Sequence, residues 1–231
     1  MPLPLRWRLA GAAIAIMQGS LHLCVWKKPG FQEVHPFTIS QAPGADRTLR
    51  FTIKNLGDYT GAVDQELEQG LRVRVSRPFG HFRLPRKTGE QVWIASGVGI
   101  TPFVAWAQAL SDDAGPVHLF YSARTRKLAS HLPELEDLAA SKPNLNLHMV
   151  ETQSAGRLTP EQIMPHLQGD VRKASVAFCG PKEMREAFRH GLIKQGLSAR
   201  RFQYEEFEIR SGIGLWALIS AIISRVGHHP T

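Results

Sequence analysis

"QVWIASGVGITPFVAWAQAL", residues 91–110, places a β-rich run, Gln91 to Ser96, directly before an apolar run of helical length, Thr101 to Leu110, with "GVGI" between them. The pattern predicts a buried strand, a tight turn and a helix. Gly97 and Gly99 permit the turn and a close backbone approach, and Thr101 with Pro102 reads as an N-cap and a first helical residue. N–H groups gathered at such a helix start suit a phosphate or pyrophosphate. The same two glycines also suit an ordinary strand-to-helix turn, and their spacing is not GxGxxG, so the loop points away from that dinucleotide fingerprint.

The same grammar continues downstream. "VHLFYS" precedes "LPELEDLAA", "LNLHMVE" precedes "TPEQIMPHL", "SVAFC" precedes "PKEMREAFRHGLIKQG", and "RFQYEEF" follows. Alternation of this kind predicts a parallel sheet covered by helices on both faces. Right-handed crossovers then bring the strand ends that feed helices to one edge, where ligands of such sheets bind. On that edge lie "YSAR", in which Ser122 and Arg124 suit a phosphate monoester, and "CGP", Cys179 to Pro181. Each alone also reads as a solvated arginine or a plain turn.

Upstream, "LRFTI" from Leu49 and "LRVRVS" from Leu71 alternate like strands between Gly and Pro turns, so this half reads as short antiparallel strands. "RLPRKTGE", Arg83 to Glu90, reads as the linker. The first residues, "MPLPLRWRLAGAAIAIMQGS", carry Arg6 and Arg8 before an apolar run from Leu9 to Met17 and read as a helix from Pro4 to Met17 or a membrane-proximal segment. That run is shorter than the about 20 residues that span a bilayer.

The 231 residues allow two modest domains, and a net charge of +8 suits phosphorylated ligands, nucleic acid or an anionic membrane surface. The cations are scattered rather than striped, which argues against nucleic acid. Cys24 and Cys179 are too few and too far apart for a disulfide framework or a zinc site, so no metal is expected.

In this order, HPFT (His35–Thr38), "IKNLGDYT", "RPFGHF", "GVGITPF", "YSAR" and "CGP" resemble the ferredoxin-NADP reductase superfamily. The HPFT form resembles the flavin-dependent half of ferric reductases and NADPH oxidases, and coverage runs from about Gly30 to Arg210. The resemblance implies an antiparallel β-barrel that holds FAD, followed by an α/β domain with a five-stranded parallel sheet that holds NADPH. It implies boundaries of 1–20 for the N-terminal segment, 21–86 for the barrel, 87–210 for the α/β domain and 211–231 for an apolar helical tail.

By the same resemblance Phe37 lies along the flavin, Thr38 stands near its N5, and His35 with Pro36 sits near the FAD phosphates. Lys54, Gly57 and Thr60 meet the FAD pyrophosphate. Gly97, Gly99, Thr101 and Pro102 cradle that of NADPH, and Ser122 with Arg124 reads the 2′-phosphate, which favours NADPH over NADH. Cys179, with Gly180 and Pro181, stands near the nicotinamide, and Phe207 covers the other flavin face. Thr38, Cys179 and Phe207 are the implied catalytic set. Read from the residues alone, Phe37 is also a core ring, His35 a capping or buried histidine, Lys54 a solvated charge, Cys179 a small buried residue, and Phe207 strand packing.

Only 34 residues precede His35, so the resemblance implies a shortened barrel, and Arg77 stands where relatives carry glycine. The implied activity is hydride transfer from NADPH to FAD, then electron transfer to a ferric chelate, a membrane haem partner, a quinone or oxygen. The alternative is a nucleotide- or partner-binding protein without turnover, because the shortened barrel does not retain FAD. A dehydrogenase subunit completed by a membrane partner is a third. The apolar run Ile213 to Ile223 and the basic charge are compatible with peripheral contact at the cytoplasmic face of a membrane.

Overall fold

The computed structural model describes residues 3–8, 21–26, 28–30, 34–46, 48–55, 58–66, 68, 70–76, 78, 82–85 and 89–205. Gly57, Arg77, Phe207 and the apolar run in 211–231 lie outside the described residues.

Among the described residues the first half contains five short strands: β1 (Leu3–Arg8), β2 (Leu21–Trp26), β3 (His35–Thr38), β4 (Thr48–Ile53) and β5 (Val73–Val75). They form a β1-β4 pair and a three-stranded β3-β2-β5 sheet, all antiparallel. An isolated bridge between Ile39 and Phe51 and a 2.8 Å hydrogen bond from Ser40 N to Arg50 O join the two. Cys24, Phe37, Ile39, Leu49, Phe51, Ile53 and Val63 are the core of this half.

The expected helix from Pro4 is corrected by β1, which pairs with β4 from Leu3↔Ile53 to Arg8↔Thr48. "LPLRWR" alternates apolar and polar at period two, Pro4 lacks an N–H for a helix interior, and pairing satisfies one edge of β4. A helix, α1 (Asp58–Glu66), interrupts the expected strands. Its Tyr59, Ala62 and Val63 recur at helical spacing against that core, a signal masked in the sequence by Gly61.

The second half is a five-stranded parallel sheet built from β6 (Gln91–Ser96), β7 (Val117–Ala123), β8 (Leu145–Glu151), β9 (Ser175–Cys179) and β10 (Phe202–Glu205), in the order β10-β9-β6-β7-β8. The helices are α2 (Thr101–Ala109), α3 (Leu132–Ser141), α4 (Thr152–Ala155), α5 (Pro160–Ile163) and α6 (Lys182–Lys194). The expected helix in "TPEQIMPHL" is only α5 and a 3-10 turn, Met164–His166, because Pro165 cannot continue it. Among the described residues no helix is long and apolar enough to cross a membrane.

Strand alternation sorts the side chains between two cores. Trp93, Leu119 and Tyr121 face one, with Phe103 and Trp106; Ile94, Phe120 and Phe178 face the other, with Phe188. Phe82 enters the first of these from the segment before β6, stacking on Trp106 with centroids 4.7 Å apart. Burying a phenylalanine side chain is worth about 1.5–3 kcal/mol, so Phe82 ties its segment to the second half. The expected linker is tied as well: Gln203 Nε2 donates to Arg83 O at 3.0 Å.

On the second face His118 Nε2 meets Glu90 Oε1 at 3.2 Å, and the His148 ring stacks on Phe120 with centroids 4.5 Å apart. Burial and the neighbouring His166 and His118 lower His148 from 6.5 to about 4. The unfolded chain therefore takes up a proton here that the fold refuses, and stability falls as pH drops from 6.5 towards 4. His148→Phe keeps the stack and removes the proton site. Acid unfolding followed by circular dichroism is expected to move to lower pH in this variant; an unchanged acid midpoint would refute the assignment.

Candidate functional site

The strand order reverses at β6 and β9, whose following helices lie on opposite faces of the sheet, and ligands of such sheets bind in the crevice at the carboxyl ends of the strands there. The loop after β6 is a 3-10 turn, Gly97–Ile100, running straight into α2. Gly97 has φ +56°, a left-handed backbone that disfavours a β-carbon, and the space where that carbon would stand is open. At Gly99 a β-carbon would lie 2.2 Å from Cys179 O. Close approach to the turn after β9 is thus what Gly99 permits.

Thr101 is the first residue of α2 and Ile100 its cap, one residue earlier than the sequence predicts. Pro102 follows at the second helical position, where no N–H is needed. The Thr101 hydroxyl is buried and has no hydrogen-bond partner among the described residues. Buried hydroxyls seldom stay unpaired, so this oxygen and the open space at Gly97 fit an anionic group at the loop.

After β9 come Gly180 and Pro181, with Pro181 capping α6. Cys179 is fully buried, and desolvation together with the nearby Glu205 carboxyl pushes its thiol well above the usual range. A thiolate nucleophile is excluded by that environment. Beside it in the ladder, Glu205 pairs in register with Cys179. Its Oε2 has no partner among the described residues, and burial raises its pKa to about 8. Sequence reading missed Glu205, since an acid in "YEEF" looks like any strand-end charge; only the pairing with Cys179 reveals it as a buried carboxylic acid.

Ser122 is buried one residue before the end of β7, and Arg124, just beyond the strand, is exposed and has no ion pair among the described residues. Arg126 is already committed: its guanidinium pairs with Glu136, and its N–H donates to Glu151 Oε2 at 2.9 Å.

In the first half, Thr38 is buried, and its hydroxyl has no partner among the described residues. Phe37 is a buried member of the core. His35 stacks on Tyr59 with centroids 3.6 Å apart, an aromatic neighbour that sequence reading did not foresee because α1 brings it there. Pro36 is partly buried in β3, Lys54 is exposed just after β4, and Thr60 is buried in the first turn of α1.

Residues 93–190 match the oxidoreductase NAD-binding domain family. Over 198 residues the chain is 26% identical to a flavohemoprotein of Bordetella pertussis, covering 77% of this chain and 49% of that protein. It is 28% identical over 197 residues to the stachydrine N-demethylase reductase subunit Stc4 of Rhizobium meliloti, covering 80% of this chain and 56% of the other. The chain thus spans about half the length of these curated relatives. Among solved structures, a ferredoxin NADP+ reductase from Neisseria gonorrhoeae superposes with TM-score 0.74 at 16% identity, over 87% of this chain and 91% of that one. The cytochrome b5 reductase domain of Ulva prolifera nitrate reductase gives 0.72 at 20% identity, over 87% and 90%. With an antiparallel half before a five-stranded parallel sheet, the chain has the fold of these ferredoxin NADP+ reductase and cytochrome b5 reductase structures, and its residues 93–190 match the oxidoreductase NAD-binding domain.

Proposed function

We propose that this chain is an NADPH-dependent flavin reductase, with FAD on residues 21–86 and NADPH on residues 87–210, that passes electrons to a separate acceptor. The observation that carries the reading is the crevice between β6 and β9, where the Gly97 loop, the turn after Cys179 and the protonated Glu205 converge. When bound, the two cofactors supply the chemistry: a hydride moves with its electron pair from nicotinamide C4 to flavin N5.

The chain's own groups bind, orient and exclude water. The N–H groups around Gly97 and Gly99, with the Thr101 hydroxyl and Pro102 opening the helix, suit the NADPH pyrophosphate. Ser122 and Arg124 are assigned to its 2′-phosphate. Cys179, Gly180 and Pro181 form the wall at the nicotinamide, and Glu205 holds a proton on its carboxyl beside it. Thr38 has a buried hydroxyl free to donate to the flavin ring, and His35, Pro36, Phe37, Lys54, Gly57 and Thr60 are assigned to the rest of FAD. Phe207 is assigned to the flavin face.

The flavohemoprotein and demethylase reductase relatives favour a haem or oxygenase partner as acceptor. A ferric chelate or a membrane haem protein, reached from the cytoplasmic face, is the finer proposal, supported by the resemblance around HPFT.

The test is anaerobic addition of NADPH to the chain loaded with FAD. Bleaching of the flavin absorbance is the expected result, and failure to bind FAD at saturating concentration would leave a nucleotide-binding protein without turnover. Arg124→Ala is expected to weaken NADPH about 10- to 100-fold while leaving NADH within about twofold, since one charge-assisted contact to phosphate is lost. Equal losses for both nucleotides would remove Arg124 from the 2′-phosphate.

A further inference from the structure

A closed ring of hydrogen bonds crosses between the two halves. Ser40 O accepts from Arg50 Nε at 3.0 Å and from Nη2. Arg50 Nη2 also donates to Glu134 Oε1 at 2.9 Å, and Glu134 Oε2 meets His131 Nδ1 at 3.0 Å. His131 Nε2 lies 2.7 Å from the Thr52 hydroxyl, which lies 2.9 Å from that of Ser40. Gln108 adds a third crossing, accepting from Ala42 N at 2.7 Å and donating to Glu134 Oε1. Ser40, Arg50 and Thr52 belong to the antiparallel half; Gln108, His131 and Glu134 belong to α2 and the start of α3.

Two features set this ring apart from ordinary packing. Ser40, Arg50 and Thr52 are all buried, and apolar residues in such places stabilise a fold as well as a buried ion pair does, so a charged ring fits a need for orientation. His131, moreover, has φ +60°, unique among the described non-glycine residues, and a conformer of that kind persists where its surroundings over-determine it. Its surroundings are Thr52 on one ring nitrogen and Glu134 on the other.

The position in the chain gives the ring its reach. His131 closes the loop that begins at Arg124, directly after β7. That loop is pinned to α3 by the Arg126–Glu136 pair and to β8 by Glu151. The segment assigned to the adenosine phosphate therefore ends on a residue hydrogen-bonded to the antiparallel half.

We infer that His131, Glu134 and Arg50 are positioning residues for the transfer between the halves, fixing the angle at which nicotinamide meets flavin and tying the phosphate-reading loop to it. The inference rests on the reductase reading. A hydride crosses only between closely apposed rings, and a misplacement of about 1 Å costs on the order of 100-fold in rate.

The experiment is single-turnover reduction of the FAD-loaded protein by NADPH and by its C4-deuterated form, with flavin content and NADP+ affinity measured on the same samples. Glu134→Gln, Arg50→Met and His131→Asn, the last suited to the left-handed backbone, are expected to keep flavin content and NADP+ affinity within about twofold. Their reduction rate is expected to fall about 10- to 100-fold, with Arg50→Lys recovering part of the loss. Thr52→Val serves if Glu134→Gln does not fold. Wild-type rates in these variants, or slowing that only tracks lost flavin, would overturn the inference while leaving the reductase reading intact. Wild-type protein that binds FAD yet is not bleached by NADPH would overturn the reductase reading and this inference with it.

Discussion

Gly99→Ala is expected to lose nucleotide binding and about 1–3 kcal/mol or more of stability together, an effect out of proportion to one methyl group. The added carbon would stand 2.2 Å from Cys179 O, 2.7 Å from its carbonyl carbon and 3.2 Å from Gly180 N. All three are backbone atoms, so no side chain can swing aside; the loop after β6 or the turn after β9 must move. Those two segments are the walls of the crevice. For a chain of this length the melting temperature is expected to fall by about 2–12 °C. Gly97→Ala is the contrast: its space is open, its cost is the left-handed backbone alone, about 1–2 kcal/mol, and its methyl group would occupy the proposed phosphate cradle. Thermal melts with an NADP+ titration separate the two. A Gly99→Ala protein that melts and binds like wild type would show that the two walls do not need this contact.

Glu205→Gln is expected to abolish a large pH dependence of stability. Burial raises the Glu205 carboxyl from 4.5 to about 8. Below 4.5 the acid is protonated folded or unfolded, and it makes no difference to stability. As pH rises from 4.5 to about 8 the unfolded chain ionises and the folded one does not, so stability falls by up to about 1.4 kcal/mol per pH unit, and above 8 the full penalty stays. Glutamine has nearly the same shape and does not ionise. Urea unfolding of wild type and variant at about pH 5 and about pH 8.5 is the measurement. The variant is expected to gain most at the higher pH, and equal gains at both would show that Glu205 is ionised in the fold. The direction is opposite to that of His148, whose refusal of a proton costs stability at low pH.

A second carboxyl behaves as a structural acid. Glu134 is pushed up by burial, but the hydrogen bonds from His131 and Arg50 and the Arg50 charge prevail and hold it down at about 2. The contrast with Glu205 comes from partners: Glu134 has Arg50, His131 and Gln108 around it, and Glu205 has a buried thiol.

The parallel sheet and the position of its glycine loop were legible in the residues, because a buried strand and the helix that follows it each announce themselves over ten residues or fewer. "QVWIAS" and "TPFVAWAQAL" need no distant partner to be read, and Gly97 is needed by its own backbone angle. What lies between residues far apart in the chain was not legible. That Leu3–Arg8 is a strand depends on the edge that β4 offers it, forty or more residues later. That Glu205 is a protonated acid depends on its burial in the strand laid beside β9, and that Gly99 cannot carry a methyl group depends on the end of β9 as well. The ring through Ser40, Arg50, Glu134, His131 and Thr52 draws on segments up to 94 positions apart as the difference between 134 and 40, and no local pattern encodes such a meeting. Local periodicity determined the elements of the parallel sheet; long-range contact decided the strand at Leu3–Arg8 and which polar groups are buried together, and burial is what shifts a pKa and orients a donor.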